Sequence, residues 1–199
     1  MFCYQCQETA GGKGCTLRGV CGKNENVAAL QDLLIYTLKG IAERVVRNSL
    51  NAANYPQLNR AVMTSLFMTI TNANFDDEAI NRQIDEVLAL RNALPLPDGA
   101  LTDAATWQAD GLAQRLTKAA SVGVLATADE DVRSLREMII YGVKGLAAYA
   151  EHAARLGVEN PEIYAFVYEA LAATLDDTLT ADQLVALTLR TGEFGVQTM

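Results

Sequence analysis

The chain has 199 residues, half of them hydrophobic, with 20% charged residues and a formal net charge of -8. That length can bury a core of one or two domains, and the acidic balance argues against a broad attraction to nucleic-acid phosphates or anionic lipid. No apolar run approaches the roughly 18 residues of a membrane span, and the opening Met1, Phe2, Cys3 shows no basic start or hydrophobic signal stretch, so a cytoplasmic setting without membrane or nucleic-acid partners is expected.

The first predicted element is a loop. Residues 1–26 lack apolar periodicity and contain Gly11, Gly12, Gly14, Gly19 and Gly22, so something other than packing must order them. All four cysteines of the chain lie here, as Cys3-x2-Cys6-x8-Cys15-x5-Cys21. A disulfide framework belongs to short secreted chains, which this is not. Two thiolates separated by two residues can reach one metal centre from a single turn, and the wider gaps let the loop fold over its other side. Four soft sulfur ligands suit a tetrahedral zinc site or an iron-sulfur cluster. Glycines favour the cluster, because a loop with little side-chain bulk brings backbone N–H groups to cluster sulfurs. Zinc and free thiols stay open on spacing alone.

From Val27 the positions Leu30, Leu33, Leu34, Leu38, Ile41 and Val45 mark one face of an amphipathic helix, with Asn24 or Asn26 as cap. Pro56 suits the first turn of a second helix carrying Leu58, Val62, Leu66 and Ile70. Asp76 and Asp77 lead a third through Ile80, Ile84, Val87 and Leu88, which Pro95 and Pro97 stop. A linker follows, with a short helix at about 111–120. Thr127 and Glu130 form a capping-box pattern ahead of a long helix ending before Gly157. Asn160 and Pro161 restart the chain, and Thr180 with Gln183 gives a last capping box.

An internal repeat emerges from the two halves. Leu30 to Ala42 (LQDLLIYTLKGIA) matches Leu135 to Ala147 (LREMIIYGVKGLA) at an offset of 105 residues, and Pro56, Val62, Leu66 and Thr69 meet Pro161, Val167, Leu171 and Thr174 at the same offset. The expected fold is therefore all-α: two three-helix bundles related by internal duplication, preceded by the irregular cysteine-rich loop. Its parts are the loop at 1–26, a first bundle at 27–94, a linker with a short helix at 95–126, and a second bundle at 127–199.

Met1 to Ala10 (MFCYQCQETA), Val20 to Lys23 (VCGK), Leu30 to Ile35, Thr69 to Phe75 (TITNANF), Val122 to Ala128 (VGVLATA), Glu130 to Arg136 and Lys144 to His152 together resemble the hydroxylamine reductase (hybrid-cluster protein, prismane) family along essentially the whole chain. The resemblance implies that Cys3, Cys6, Cys15 and Cys21 ligate a [4Fe-4S] cluster, the form that goes with this compact spacing. It also implies two crossed three-helix bundles followed by two α/β domains. Those later domains would hold the hybrid iron-sulfur-oxygen cluster at which hydroxylamine becomes ammonia and nitric oxide becomes nitrous oxide. The chain ends before them, so this oxidoreductase fragment is expected to carry electrons from a soluble donor protein without catalysing the parent reaction, and to help dimerise the parent. A zinc-stabilised or apo helical interaction module is the alternative.

Other residues invite plainer readings. His152 near a helix end is expected to be structural. Lys39 and Lys144 are expected on solvated faces, where exposed pairs are weak, and Tyr36, Tyr141 and Trp107 are expected to pack between helices. Gly40 and Gly145 cost about 1 kcal/mol each relative to alanine, which close helix approach would explain.

Overall fold

A computed structural model describes residues 1–8, 10–109 and 111–199. The fold is all-helical, without strands among the described residues: α1 (Glu25–Arg47), α2 (Pro56–Met68), α3 (Asp77–Ala93), α4 (Asp103–Thr106), α5 (Leu112–Ala119), α6 (Glu130–Arg155), α7 (Pro161–Ala173) and α8 (Ala181–Thr198). Among these, no helix is long and apolar enough to cross a membrane.

Cap chemistry sets most helix starts. Asn24 accepts from the Val27 N–H at 2.8 Å, Asp76 from Ala79 at 2.9 Å and Asn160 from Glu162 at 3.0 Å, each satisfying a donor that the first turn leaves free. The Thr180–Gln183 box closes through both of its bonds, at 2.8 and 3.3 Å. The box expected at Thr127 and Glu130 does not form: Asp129 caps α6, accepting from the Val132 N–H at 2.9 Å. A 3-10 turn at Val124–Ala126 leaves Thr127 extended and two residues short of the helix, and a carboxylate is favoured at the positive end of the helix dipole.

In the linker, α5 lies where the short helix is predicted, and α4 is an addition. Four residues show no periodicity, and α4 is held from outside by two buried arginines. Arg44 donates to Ala105 O at 2.9 Å, Arg91 O at 2.7 Å and Leu94 O at 3.0 Å, while Arg91 donates to Ala104 O at 2.8 Å and to Trp107 O. These bonds give the carbonyls of α4 and of the end of α3 charged donors.

One hydrophobic core runs through both halves. Helix α1 lies at its centre, covered by α3, α4, α5 and α7, and α6 packs on α8 and α2. The first helix of each half thus packs on the third helix of its own half and on the second helix of the other. Leu30, Leu33, Leu34, Leu38 and Ile41 are wholly buried, each contributing roughly 1.5–3 kcal/mol. Close approach explains Gly40, where a Cβ would lie 1.9 Å from Ala104 O, but not Gly145, where a Cβ would meet nothing within 4 Å. The tight glycine of α6 is Gly142, against Thr191 of α8. His152 is exposed, with its ring edge-on to Phe67 at 5.5 Å, and Trp107 packs on the core.

Candidate functional site

The cysteine loop lies against the N-terminal end of α1. Cys15 is buried, Cys3 half-buried, and Cys6 and Cys21 exposed, all as free thiols. Phe2 N–H donates to Cys15 O at 2.9 Å, tying the start of the loop to its middle. Gly19 N–H donates to Lys23 O at 2.8 Å, an approach so close that a Cβ on Gly19 would sit 2.8 Å from that oxygen. Gly22, at φ +97°, turns the chain between Cys21 and Lys23 in a region that side chains disfavour.

Packing, not expected in this loop, anchors it. Lys23 is 1% exposed, and its Nζ donates to Gln5 Oε1 at 2.7 Å and Gln31 Oε1 at 2.8 Å. Gln5 Nε2 donates to Gln31 Oε1 at 2.9 Å, and Gln31 Nε2 donates to Asn74 O at 3.0 Å. Gln5 lies between Cys3 and Cys6 in the chain, and its carbonyl accepts from Thr71 Oγ1 at 3.0 Å and from Tyr141. The segment carrying the first two thiols is thus bonded to α1, to the α2–α3 turn and to α6.

Electrostatics link the thiols to this anchor. Burial pushes the Cys3 thiol up, opposed by the Gln5 N–H bond to its sulfur and by Lys23, with Cys15 among its charged neighbours. Burial likewise lowers the Lys23 ammonium, opposed by Cys3, Cys21, Asp32 and Cys6. All four sulfurs thus belong to one charged neighbourhood. Among the described residues no three Cys, His, Asp or Glu side chains are close enough to hold a metal ion, so the thiols share a neighbourhood without closing a coordination shell.

Beside the loop opens a pocket of about 380 Å³, which Tyr4 and Gln5 help to line. Three positions of each repeat meet in it: Asp32, Tyr36 and Lys39 from α1, and Glu137, Tyr141 and Lys144 from α6. The solvated face expected for the lysines is therefore a correction: Lys144 is buried and Lys39 half-buried. The linker is the cause, since Thr102, Asp103, Lys118 and Ser121 wall the pocket over this polar face. Tyr36 donates to Asp103, which also pairs with Lys118.

Among the described residues no direct ion pair joins Asp32 or Glu137 to Lys39 or Lys144, so burial outweighs attraction for all four. Burial pushes Asp32 up to about 6 and raises Glu137, while it brings Lys144 down to about 8 and lowers Lys39. Tyr141 is pushed up to about 12, first by burial and then by Glu137, Cys6 and Cys3. Charged forms are costly here, and the pocket can hold or release protons near neutrality.

Sequence reasoning singles out the four cysteines and misses Gln5, Lys23 and Gln31. Gln31 does carry a signal, standing beside Leu30 on a helix whose apolar stripe includes Val27 and Leu34. A polar side chain at such a position implies buried partners.

The Prismane/CO dehydrogenase family profile matches residues 1–199. Hydroxylamine reductase of Acetivibrio thermocellus is 62% identical over 201 residues, covering 100% of this chain and 37% of that protein. The proteins of the same name from Desulfitobacterium hafniense (strain DSM 10664 / DCB-2) and Clostridium tetani are 54% and 50% identical, again over 100% of this chain and over 38% and 40% of theirs. The chain thus spans about two fifths of the length of the curated relatives it matches.

Proposed function

The chain belongs to the Prismane/CO dehydrogenase family, and from that premise we propose that it is the N-terminal electron-transfer part of a hydroxylamine reductase, with an iron-sulfur centre on Cys3, Cys6, Cys15 and Cys21. The observation that carries this reading is that all four free thiols lie in one loop clamped by the buried Lys23, with Cys3, Cys6 and Cys21 within reach of its charge and Cys15 among the neighbours of Cys3. The donor set fits a [4Fe-4S] centre by its chemistry: four free thiols, the Gln5 N–H directed at the Cys3 sulfur, and a positive charge to offset the anionic thiolates.

Such a centre, when bound, supplies one-electron transfer. The four cysteines hold it; Gln5, Gln31 and Lys23 orient the segment bearing Cys3 and Cys6; Tyr141 and Thr71 fasten that segment's backbone. The electron would come from a soluble donor protein in the cytoplasm. It would go to a hybrid cluster in the α/β remainder of the parent, where hydroxylamine or nitric oxide is reduced, and the parent would be a homodimer. By itself this part is not the catalyst. The reciprocal packing of α1 on α7 and α6 on α2 supports reading the two bundles as one duplicated unit.

Single Cys→Ser variants of all four positions test the ligand set. Each is expected to lower iron and sulfide content below that of the native chain while the helical signal stays. Native content in any one of them removes that cysteine from the set. One bound zinc and no colour in the native chain would favour a zinc-stabilised module instead.

A further inference from the structure

Lys23 stands out among the buried charges of this chain because its surroundings form a cage for a cation. Its Nζ lies 2.7 Å from Gln5 Oε1, 2.8 Å from Gln31 Oε1 and 5.8 Å from the centre of the Phe75 ring. Two amide oxygens and an aromatic face are all electron-rich, and each favours an ammonium. Both glutamines are fixed in turn: they bond to each other at 2.9 Å, and Gln31 also donates to Asn74 O. No carboxylate touches the ammonium, since among the described residues none of the ion pairs includes Lys23. The neighbours that its charge acts on are Cys3, Cys21, Asp32 and Cys6. Acceptors without a carboxylate hold the ammonium in place and leave its charge unneutralised by a direct ion pair.

We propose that Lys23 is a positioning residue of the four-thiolate centre, its caged ammonium being the fixed positive charge that raises the centre's reduction potential. The inference rests on the iron-sulfur reading above. Adding one electron to a centre held by four thiolates increases its negative charge by one, with no bond made or broken. A cation held nearby in a low-dielectric surround therefore stabilises the reduced form more than the oxidised form. Because Gln5 lies between Cys3 and Cys6 while Lys23 follows Cys21 by two residues, the cage also ties the two ends of the ligand set to α1 through Gln31.

The test is an EPR-monitored redox titration of the iron-loaded 199-residue chain, with dithionite as electron donor, alongside iron and sulfide content and thermal unfolding. Lys23→Met is expected to move the midpoint to a more negative potential, and Lys23→Arg, which keeps the charge, to stay near the native value. A clamp of purely structural value would lower unfolding temperature and leave the midpoint where it was; that result, at native iron content, overturns the proposal. If Lys23→Met fails to hold iron, Lys23→Gln removes the charge while keeping a polar head for the two glutamines. A more negative midpoint there supports the proposal, and an unmoved one overturns it. A native chain that binds no iron overturns the iron-sulfur reading and this inference together, whereas native iron with unmoved midpoints overturns only the role of Lys23.

Discussion

Gly40 and Gly145 hold the same place in the two repeats, yet alanine should act on them with opposite sign. In a helix interior the exchange gains about 1 kcal/mol from propensity alone. At the exposed Gly145 nothing lies within 4 Å of the added Cβ, so Gly145→Ala should keep most of that gain, about 0.5–1 kcal/mol. At Gly40 the new atom would sit 1.9 Å from Ala104 O and 2.5 Å from the Ala104 carbonyl carbon. Those are backbone atoms of α4, pinned by Arg91 at Ala104 O and by Arg44 at Ala105 O, so relief requires α4 to retreat and its buried hydrogen bonds to lengthen. Overpacking costs about 1–3 kcal/mol and each strained buried bond about 1 kcal/mol more, which leaves Gly40→Ala destabilised by roughly 1–3 kcal/mol after the propensity gain. Urea unfolding followed by circular dichroism at the helical band reads both. Gly40→Ala as stable as the native chain, or Gly145→Ala weaker than native by about 1 kcal/mol, would refute the packing argument.

Arg91→Met should destabilise by about 2–5 kcal/mol, because it strands Ala104 O and Trp107 O without a donor; limited proteolysis should then cut first within residues 95–109, and an unchanged cleavage map would count against the anchor. Asp32 has a folded pKa raised to about 6, so its contribution is present in full below the unfolded value and is lost as pH rises through about 6. Stability should fall from pH 4 to pH 6, and Asp32→Asn should flatten that fall; an equal slope in the variant would show that Asp32 is not the group responsible. Lys144 is depressed to about 8, so stability should rise as pH climbs from about 8 towards its unfolded value, and Lys144→Met should reduce the rise, the buried Lys39 and Lys23 supplying what remains. Chelating the iron should loosen residues 1–26 while the helical signal persists, since none of the four cysteines belongs to the hydrophobic core cluster; coincident loss of both would contradict a loop that is separable from the bundles.

Much of the helical fold was written in local chemistry. Asn24, Asp76, Asn160 and the Thr180–Gln183 box are cap residues whose partners lie within three positions, so the chain itself specifies them. Local signals fail where distant parts decide. Helix α4 exists because Arg44 and Arg91, far off in sequence, bind its carbonyls. Lys39 and Lys144 look like surface residues until the linker is laid across them. At the site, the cysteines announce themselves through residue type and spacing. Lys23, Gln5 and Gln31 meet across 8 to 26 residues of chain, and apart from the place of Gln31 on the apolar stripe of α1 no period or motif marks such a contact.

Iron and acid-labile sulfide analysis of the anaerobically purified chain, with visible and EPR spectra before and after dithionite, tests the central claim most directly. About four irons and about four sulfides per chain are expected, with bleaching and a new EPR signal on reduction. A colourless protein carrying a single zinc, or no metal at all, would contradict it.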